Sequence, residues 1–125
     1  MKYFKIAVDC VILGYDNRSN QLKILFTKRV NHPNKNQWAL PGGFVTETES
    51  FEETAKAILK RETGVHNIYL RQLRAYSLTD PSEENRIASI AYFSLVKFDD
   101  LVVAEASQSW KWFHFRDYPE LPFDH

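Results

Sequence analysis

Cysteine is nearly absent. Cys10 is the only one, so no internal disulfide can form and the fold must hold without covalent staples. It stands inside an apolar run, the place of a small core hydrophobe in a reducing compartment. Neither sign of charge is in excess, with 16 Lys plus Arg against 16 Asp plus Glu. That balance lacks the basic footprint of a domain that grips nucleic acid by itself. No apolar stretch approaches the ~18 residues needed to cross a bilayer. Met1-Lys2-Tyr3-Phe4-Lys5 passes directly into a strand pattern, so a cytoplasmic protein without membrane contact is expected. Repeats and low-complexity tracts are also missing.

What remains is ordinary globular material: 125 residues, 44% hydrophobic and 14% aromatic, enough for one domain, 1–125, around one core. Residues 6–13 alternate Ile6, Val8, Cys10 and Ile12 with the apolar Ala7, Val11 and Leu13, which predicts a strand buried on both faces. Asp9 is its one charged residue. The turn-forming cluster at 16–20, followed by the apolar run 22–26, predicts a hairpin. After the polar loop 32–36, residues 38–45 return to apolar character around Pro41-Gly42-Gly43, where a bent strand is expected.

Ser50-Phe51-Glu52-Glu53 matches a capping box and Gly64 a helix stop, so a helix should run from about 51 to 62. Phe51, Ala55, Ile58 and Leu59 would share its apolar face. Later strands are expected at 68–78, 86–96 and 110–115, the first two separated by the loop 79–85. Mixed strands around one strong helix indicate an α+β protein or an α/β/α sandwich.

Gly43, Glu49, Leu59, Glu62, Gly64 and Val65 fall at the spacing G-x5-E-x7-R-E-U-x-E-E-x-G-U, where U is aliphatic. The segment resembles the Nudix box, and Trp38-x-Leu40-Pro41-Gly42-Gly43 before it is typical of the same family. The resemblance covers nearly the whole chain and implies the Nudix fold, an α/β/α sandwich with a mixed sheet. Three positions depart from it: Ala57 stands for the arginine, Ile58 for the next glutamate and Arg61 for the first of the paired glutamates. In the family, carboxylates one helical turn apart hold hydrated divalent cations against a pyrophosphate. Here Glu62 alone keeps a carboxylate at the three ligand positions, and Arg61 brings a cation beside it. At ~4 Å and an effective dielectric near 20, each unit charge is worth about 4 kcal/mol before solvation offsets it.

Glu49, Glu52 and Glu53 have two readings, as substitute ligands or as acidic residues favourable at a helix N-terminus. Glu62 likewise reads as a metal ligand or as a solvated helix-end carboxylate.

Lys28-Arg29, the 38–45 segment, Asp80-Pro81 and Arg86-Ile87-Ala88-Ser89-Ile90-Ala91-Tyr92 resemble the NrtR-like Nudix-related regulators and their ADP-ribose pyrophosphatase relatives. In those regulators the Nudix domain binds an effector and a C-terminal winged helix binds DNA. Leu121-Pro122-Phe123-Asp124-His125 resembles the junction before that second domain, and the expectation is a chain that lacks it.

The resemblance thus implies a small-molecule effector of nucleotide or sugar type, DNA contact only through the missing domain, and a possible homodimer. No cofactor is required, and Mg enters only if hydrolysis persists. Candidate ligand-binding residues are Arg29, Trp38, Gly43, Glu49 and Arg86, with Glu62 as the candidate metal ligand; catalytic residues are left unassigned. Taken alone, Trp38 reads as core before ligand platform, and Arg86 also reads as a partner of the acidic loop before it. The alternative function is a pyrophosphohydrolase acting on ADP-ribose or a related nucleoside diphosphate derivative with Mg. A third is a protein-interaction module carrying an apolar patch near Phe123.

Overall fold

The computed structural model describes residues 4–29, 36–79, 86–97 and 109–116. The loop 80–85 and the closing segment 121–125, including Phe123, lie outside the described residues, as does most of the loop 32–36. In chain order the elements are β1 (Phe4–Asp16), β2 (Gln21–Lys28), β3 (Trp38–Ala39), β4 (Gly42–Phe44), α1 (Phe51–Thr63), β5 (Arg71–Thr79), β6 (Arg86–Lys97) and β7 (Trp110–His114).

The strands form one seven-stranded mixed sheet, ordered β3-β2-β1-β6-β5 with β4 added to β1 and β7 to β2. The expected hairpin is present: Leu13 pairs Ile24 and Asp16 pairs Gln21. Its turn is held by the Arg18 amide, which donates to Asp16 Oδ1 at 3.0 Å, and by Asn20 in the left-handed region at φ 55. The parallel pairing of β1 with β6 runs from Phe4↔Arg86 to Tyr15↔Lys97. No local pattern announces it, because the two strands lie some eighty residues apart in sequence.

The hairpin stays closed only at its tip. Beyond Leu13 the two strands separate, and the 38–45 segment fills the gap, first pairing Trp38 with Lys28, then crossing to pair Gly42 with Asp9. The expected bend is therefore a change of partner between two short strands. It is fastened by the Cys10 amide donating to the Pro41 carbonyl and the Val45 amide to that of Ile6, both at 2.8 Å.

On one sheet face Val8, Cys10 and Ile12 are fully buried beneath α1, packed with Ala55, Ile58 and Leu59. Ala7, Asp9, Val11 and Leu13, on the other face, are half-buried, so β1 is less enclosed than its composition predicts. Phe51 also departs from expectation. It sits at 38% exposure in the first turn of α1, beyond the margin of the core that encloses Ala55 and Leu59. α1 is the one helix among the described residues, packed on one face of the sheet.

The helix ends match the sequence signals. Ser50 Oγ accepts from the Glu53 amide at 3.1 Å, and Gly64 caps the C-terminus at φ 77 with its amide donating to Lys60 O at 3.1 Å. Residues 68–70 connect α1 to β5, which starts at Arg71 instead of 68; Leu70 packs into the core before the strand begins.

Candidate functional site

The two glycines before the loop to α1 are places where chain meets chain. A Cβ at Gly42 would lie 2.5 Å from both Asp9 Oδ1 and the Val8 carbonyl, and one at Gly43 would lie 3.0 Å from Ile58 Cδ1. Neither has a positive φ; what excludes a side chain is close approach, of β4 to β1 in one case and to α1 in the other.

Across from Gly43, the three helix positions that the box resemblance assigns to metal ligands take different environments. Ile58 is buried at 4% exposure within the core. Arg61 is exposed, and its Nη2 lies 3.9 Å from Glu62 Oε1. Glu62 is half-buried: desolvation pushes its carboxyl above the usual carboxylate range, and the nearby Arg61 charge opposes that rise. A hydrated divalent cation needs several oxygen ligands, of which carboxylates must be the anionic share. This face offers one carboxylate beside a guanidinium, and among the described residues no group of three His, Cys, Asp or Glu is placed to hold a metal. The donor set does not fit such a cation.

Two of the remaining acidic residues near the N-terminus of α1 have local partners. Glu52 pairs with Lys56 at 3.1 Å, and Glu49 Oε1 accepts from Thr46 Oγ1 at 2.9 Å.

The expected ligand residues are spread over three places. Arg29 and Trp38 adjoin at the β2–β3 end, where the Arg29 amide donates to Gln37 O at 2.9 Å and its carbonyl accepts from the Asn36 amide at 2.8 Å. Trp38 is half-buried, edge-on to Phe113 at 5.3 Å between centroids, with Lys28 Nζ 5.8 Å from its ring. Its ring is thus partly in the core and partly at the surface. Gly43 and Glu49 flank the β4–α1 loop. Arg86 is exposed at the first position of β6, between Phe4 and Thr79 in register.

Two groupings escaped the sequence reading. Asp9, noticed as the odd residue of β1, accepts a 2.5 Å hydrogen bond from Ser89 Oγ across the parallel pairing. Lys5, Phe44, Glu49 and Phe51 line one cavity of about 610 Å³, although they are spread over 47 residue numbers. The only sequence signal for the second was a pair of phenylalanines flanking the box loop.

Cys10 lies in the core as expected, and burial, with help from the Asp9 and Glu62 charges, pushes its thiol up to about 12.

A NUDIX domain family model matches residues 3–125. The chain is 35% identical over 120 residues to an ADP-ribose pyrophosphatase of Methanocaldococcus jannaschii, covering 96% of this chain and 68% of that protein. It is 33% identical over 95 residues to the ADPR responsive transcriptional repressor NtrR of Acinetobacter baylyi, covering 74% of this chain but only 37% of the repressor. Among solved structures, the NUDIX domain of Shewanella oneidensis NrtR complexed with ADP ribose superimposes with a TM-score of 0.74 at 32% identity, covering 90% of this chain and 73% of that one. The mixed sheet, the capped helix after a Gly-Gly approach and these matches place the chain in the Nudix family.

Proposed function

We propose that this Nudix domain is the effector-sensing part of a transcriptional regulator, binding an ADP-ribose-like nucleotide or a sugar without efficient hydrolysis. The observation that carries the reading is Ile58. Its side chain belongs to the core and fills the space a side chain at Gly43 would need, so a position that would serve metal chemistry serves packing. Arg61 and Glu62, neighbours in sequence, form only a long ion pair of 3.9 Å and modest strength, leaving no cluster of anions there. The ADP-ribose-bound relative from S. oneidensis supports the ligand class. In this reading DNA contact belongs to a separate domain, consistent with the equal numbers of cationic and anionic residues here.

The second reading, an ADP-ribose pyrophosphatase, draws on the M. jannaschii relative and on Glu62, whose raised carboxyl is of a kind often found at reactive sites. One experiment separates the two. Calorimetry and thermal shift with ADP-ribose should show binding, with about 2.7 kcal/mol of stabilisation at 100 times the dissociation constant. Parallel assays with Mg²⁺ or Mn²⁺ should give turnover below roughly 1 per second. Turnover of roughly 1 to 1000 per second, abolished by Glu62→Gln, would establish the pyrophosphatase instead.

A further inference from the structure

Where α1 gives way to the segment that leads into β5 lies a second cavity, of about 310 Å³, at the small end of the usual range for small-molecule sites. Leu59, Val65 and Ile68 give it an aliphatic wall, and Lys56, Lys60 and Asn67 stand at its rim. Among the described residues no carboxylate lines it, and no Phe, Tyr or Trp ring.

The two lysines are one helical turn apart, so they share a side of α1. An ordinary task for cations at this end of a helix is to meet its last carbonyls. Here Leu59 O already accepts from Thr63 Oγ1 at 2.6 Å, and Lys60 O from the Gly64 amide at 3.1 Å. Lys60 has no ion pair among the described residues. Lys56 is held by its exposed pair with Glu52, which an incoming anion can replace at little cost. Beyond the cap, His66 Nδ1 donates to Gly64 O at 2.9 Å and Asn67 takes a left-handed φ of 55, a conformation that asparagine accepts more readily than most residues. The Asn67 amide adds neutral donors to the cationic rim.

We propose that this cavity is a second ligand site, which takes a small aliphatic phosphate monoester. Its chain lies against Leu59, Val65 and Ile68, and its phosphate is shared by Lys56 and Lys60. The inference goes beyond the effector reading and does not depend on it. Two ammonium groups with no carboxylate among them match a phosphate monoester, which carries about −1.5 to −2 charges at neutral pH, better than a singly charged carboxylate. Lysine meets phosphate as a point charge, so no fixed fork geometry is required of the rim. The wall offers aliphatic contact and no flat ring on which a base would stack, so the organic part of the ligand is a short chain.

The test is an NMR titration of the isotope-labelled protein with n-butyl phosphate, inorganic phosphate, pentanoate and n-butanol. Butyl phosphate should bind with a Kd below about 1 mM and shift the amides of residues 57–60 and 65–68. Inorganic phosphate and n-butanol, each lacking one half of the ligand, should bind at least about tenfold more weakly. Pentanoate, with less charge, should be weaker by about threefold or more. Lys56→Gln with Lys60→Gln changes two exposed positions, and circular dichroism checks that the variant is folded. It should weaken butyl phosphate by about tenfold or more and leave ADP-ribose binding as in the parent. Saturating ADP-ribose should not displace butyl phosphate.

Butyl phosphate that fails to bind, or that shifts amides elsewhere, overturns the assignment. Inorganic phosphate or pentanoate as tight as butyl phosphate would mean that the lysines gather any anion, and n-butanol as tight would mean an apolar crevice without charge recognition; each overturns it. So does a double variant that binds like the parent, or displacement by ADP-ribose. If butyl phosphate behaves as expected while ADP-ribose does not bind at all, this site stands and the effector reading alone falls.

Discussion

The two sides of α1 obey different physics. On the sheet side Ala55, Ile58 and Leu59 are packed into the core, where Ile58 leaves no room for a side chain at Gly43. On the outer side Glu52, Lys56, Lys60 and Arg61 stand in water, where charges are screened and exchanged at little cost. The box spacing joins the two sides, since Ile58 and Arg61 are adjacent members of one functional pattern in the family. Their substitutions are thus unequal: one has been absorbed by packing, the other only changes the charge beside Glu62.

The sharpest way to break this contrast is to return a carboxylate to position 58. Ile58→Glu should destabilise the domain by about 3–5 kcal/mol, because it removes buried apolar contacts and inserts an unpaired charge. Lys60→Glu, two positions on and exposed, should change stability by less than about 0.5 kcal/mol. Urea unfolding of both variants checks the difference. A well-folded Ile58→Glu with near-parental stability would mean that this position opens to solvent, and the packing reading of Ile58 would be lost.

Gly43→Ala probes the same contact from the sheet. The added Cβ meets Ile58 Cδ1 at 3.0 Å, tight enough that the isoleucine must give way, at an expected cost of about 1–3 kcal/mol. Ile58→Val removes Cδ1 and alone should cost about 0.5–1.5 kcal/mol. If the clash is the cause, the double variant costs less than the sum of the two singles, by 0.5 kcal/mol or more in a double-mutant cycle, roughly the floor for contacting residues. Strict additivity would assign the glycine requirement to something other than Ile58.

Much of this contrast was readable in the residues. Ser50, Glu53 and Gly64 signal the helix ends through local hydrogen bonding that any helix with those residues would make. The hairpin was legible for the same reason, as a turn chemistry confined to a few neighbours. The parallel β1–β6 pairing, the partner exchange at Pro41 and the Asp9–Ser89 bond were not, because each joins residues whose meeting depends on the whole sheet. At the candidate site the departures at Ile58 and Arg61 were visible, but not their unequal burial. Nor did periodicity place Phe51 outside the core, since a hydrophobic face computed along one helix does not know where the sheet beneath it stops.

Glu62 stands on the boundary between the two sides, and its pH response sharpens the comparison. Burial raises its carboxyl, with the Arg61 charge opposing, so the folded state keeps the proton to higher pH than the unfolded chain does. The sign follows from linkage: this group favours folding most below its unfolded value of about 4.3, and the advantage is lost as pH climbs through the raised folded value. Glu62→Gln removes the titration. Relative to the parent, the glutamine variant should therefore gain stability between about pH 4 and neutrality, read from urea midpoints across that window. A parent that gains on the variant over the same window would mean that pairing with Arg61 outweighs burial.

The smallest effect belongs to the outer side alone. Lys56 Nζ lies 3.1 Å from Glu52 Oε1, one turn apart, with both side chains about half exposed. Glutamate N-terminal to lysine at this spacing is the favourable order, yet such pairs contribute only about 0.3–0.5 kcal/mol. Lys56→Ala should cost no more than that, partly offset by alanine's higher helix propensity. The difference should shrink further as salt rises toward 1 M, where the screening length falls to about 3 Å. A salt-insensitive loss above roughly 1 kcal/mol would exceed what a solvated pair supplies. It would mean that the lysine stem packs against Val65 and Ile68 in the cavity of about 310 Å³ that they line together. In that event the outer side of α1 would have a packing role of its own, and the division between its two sides would have to be redrawn at Lys56.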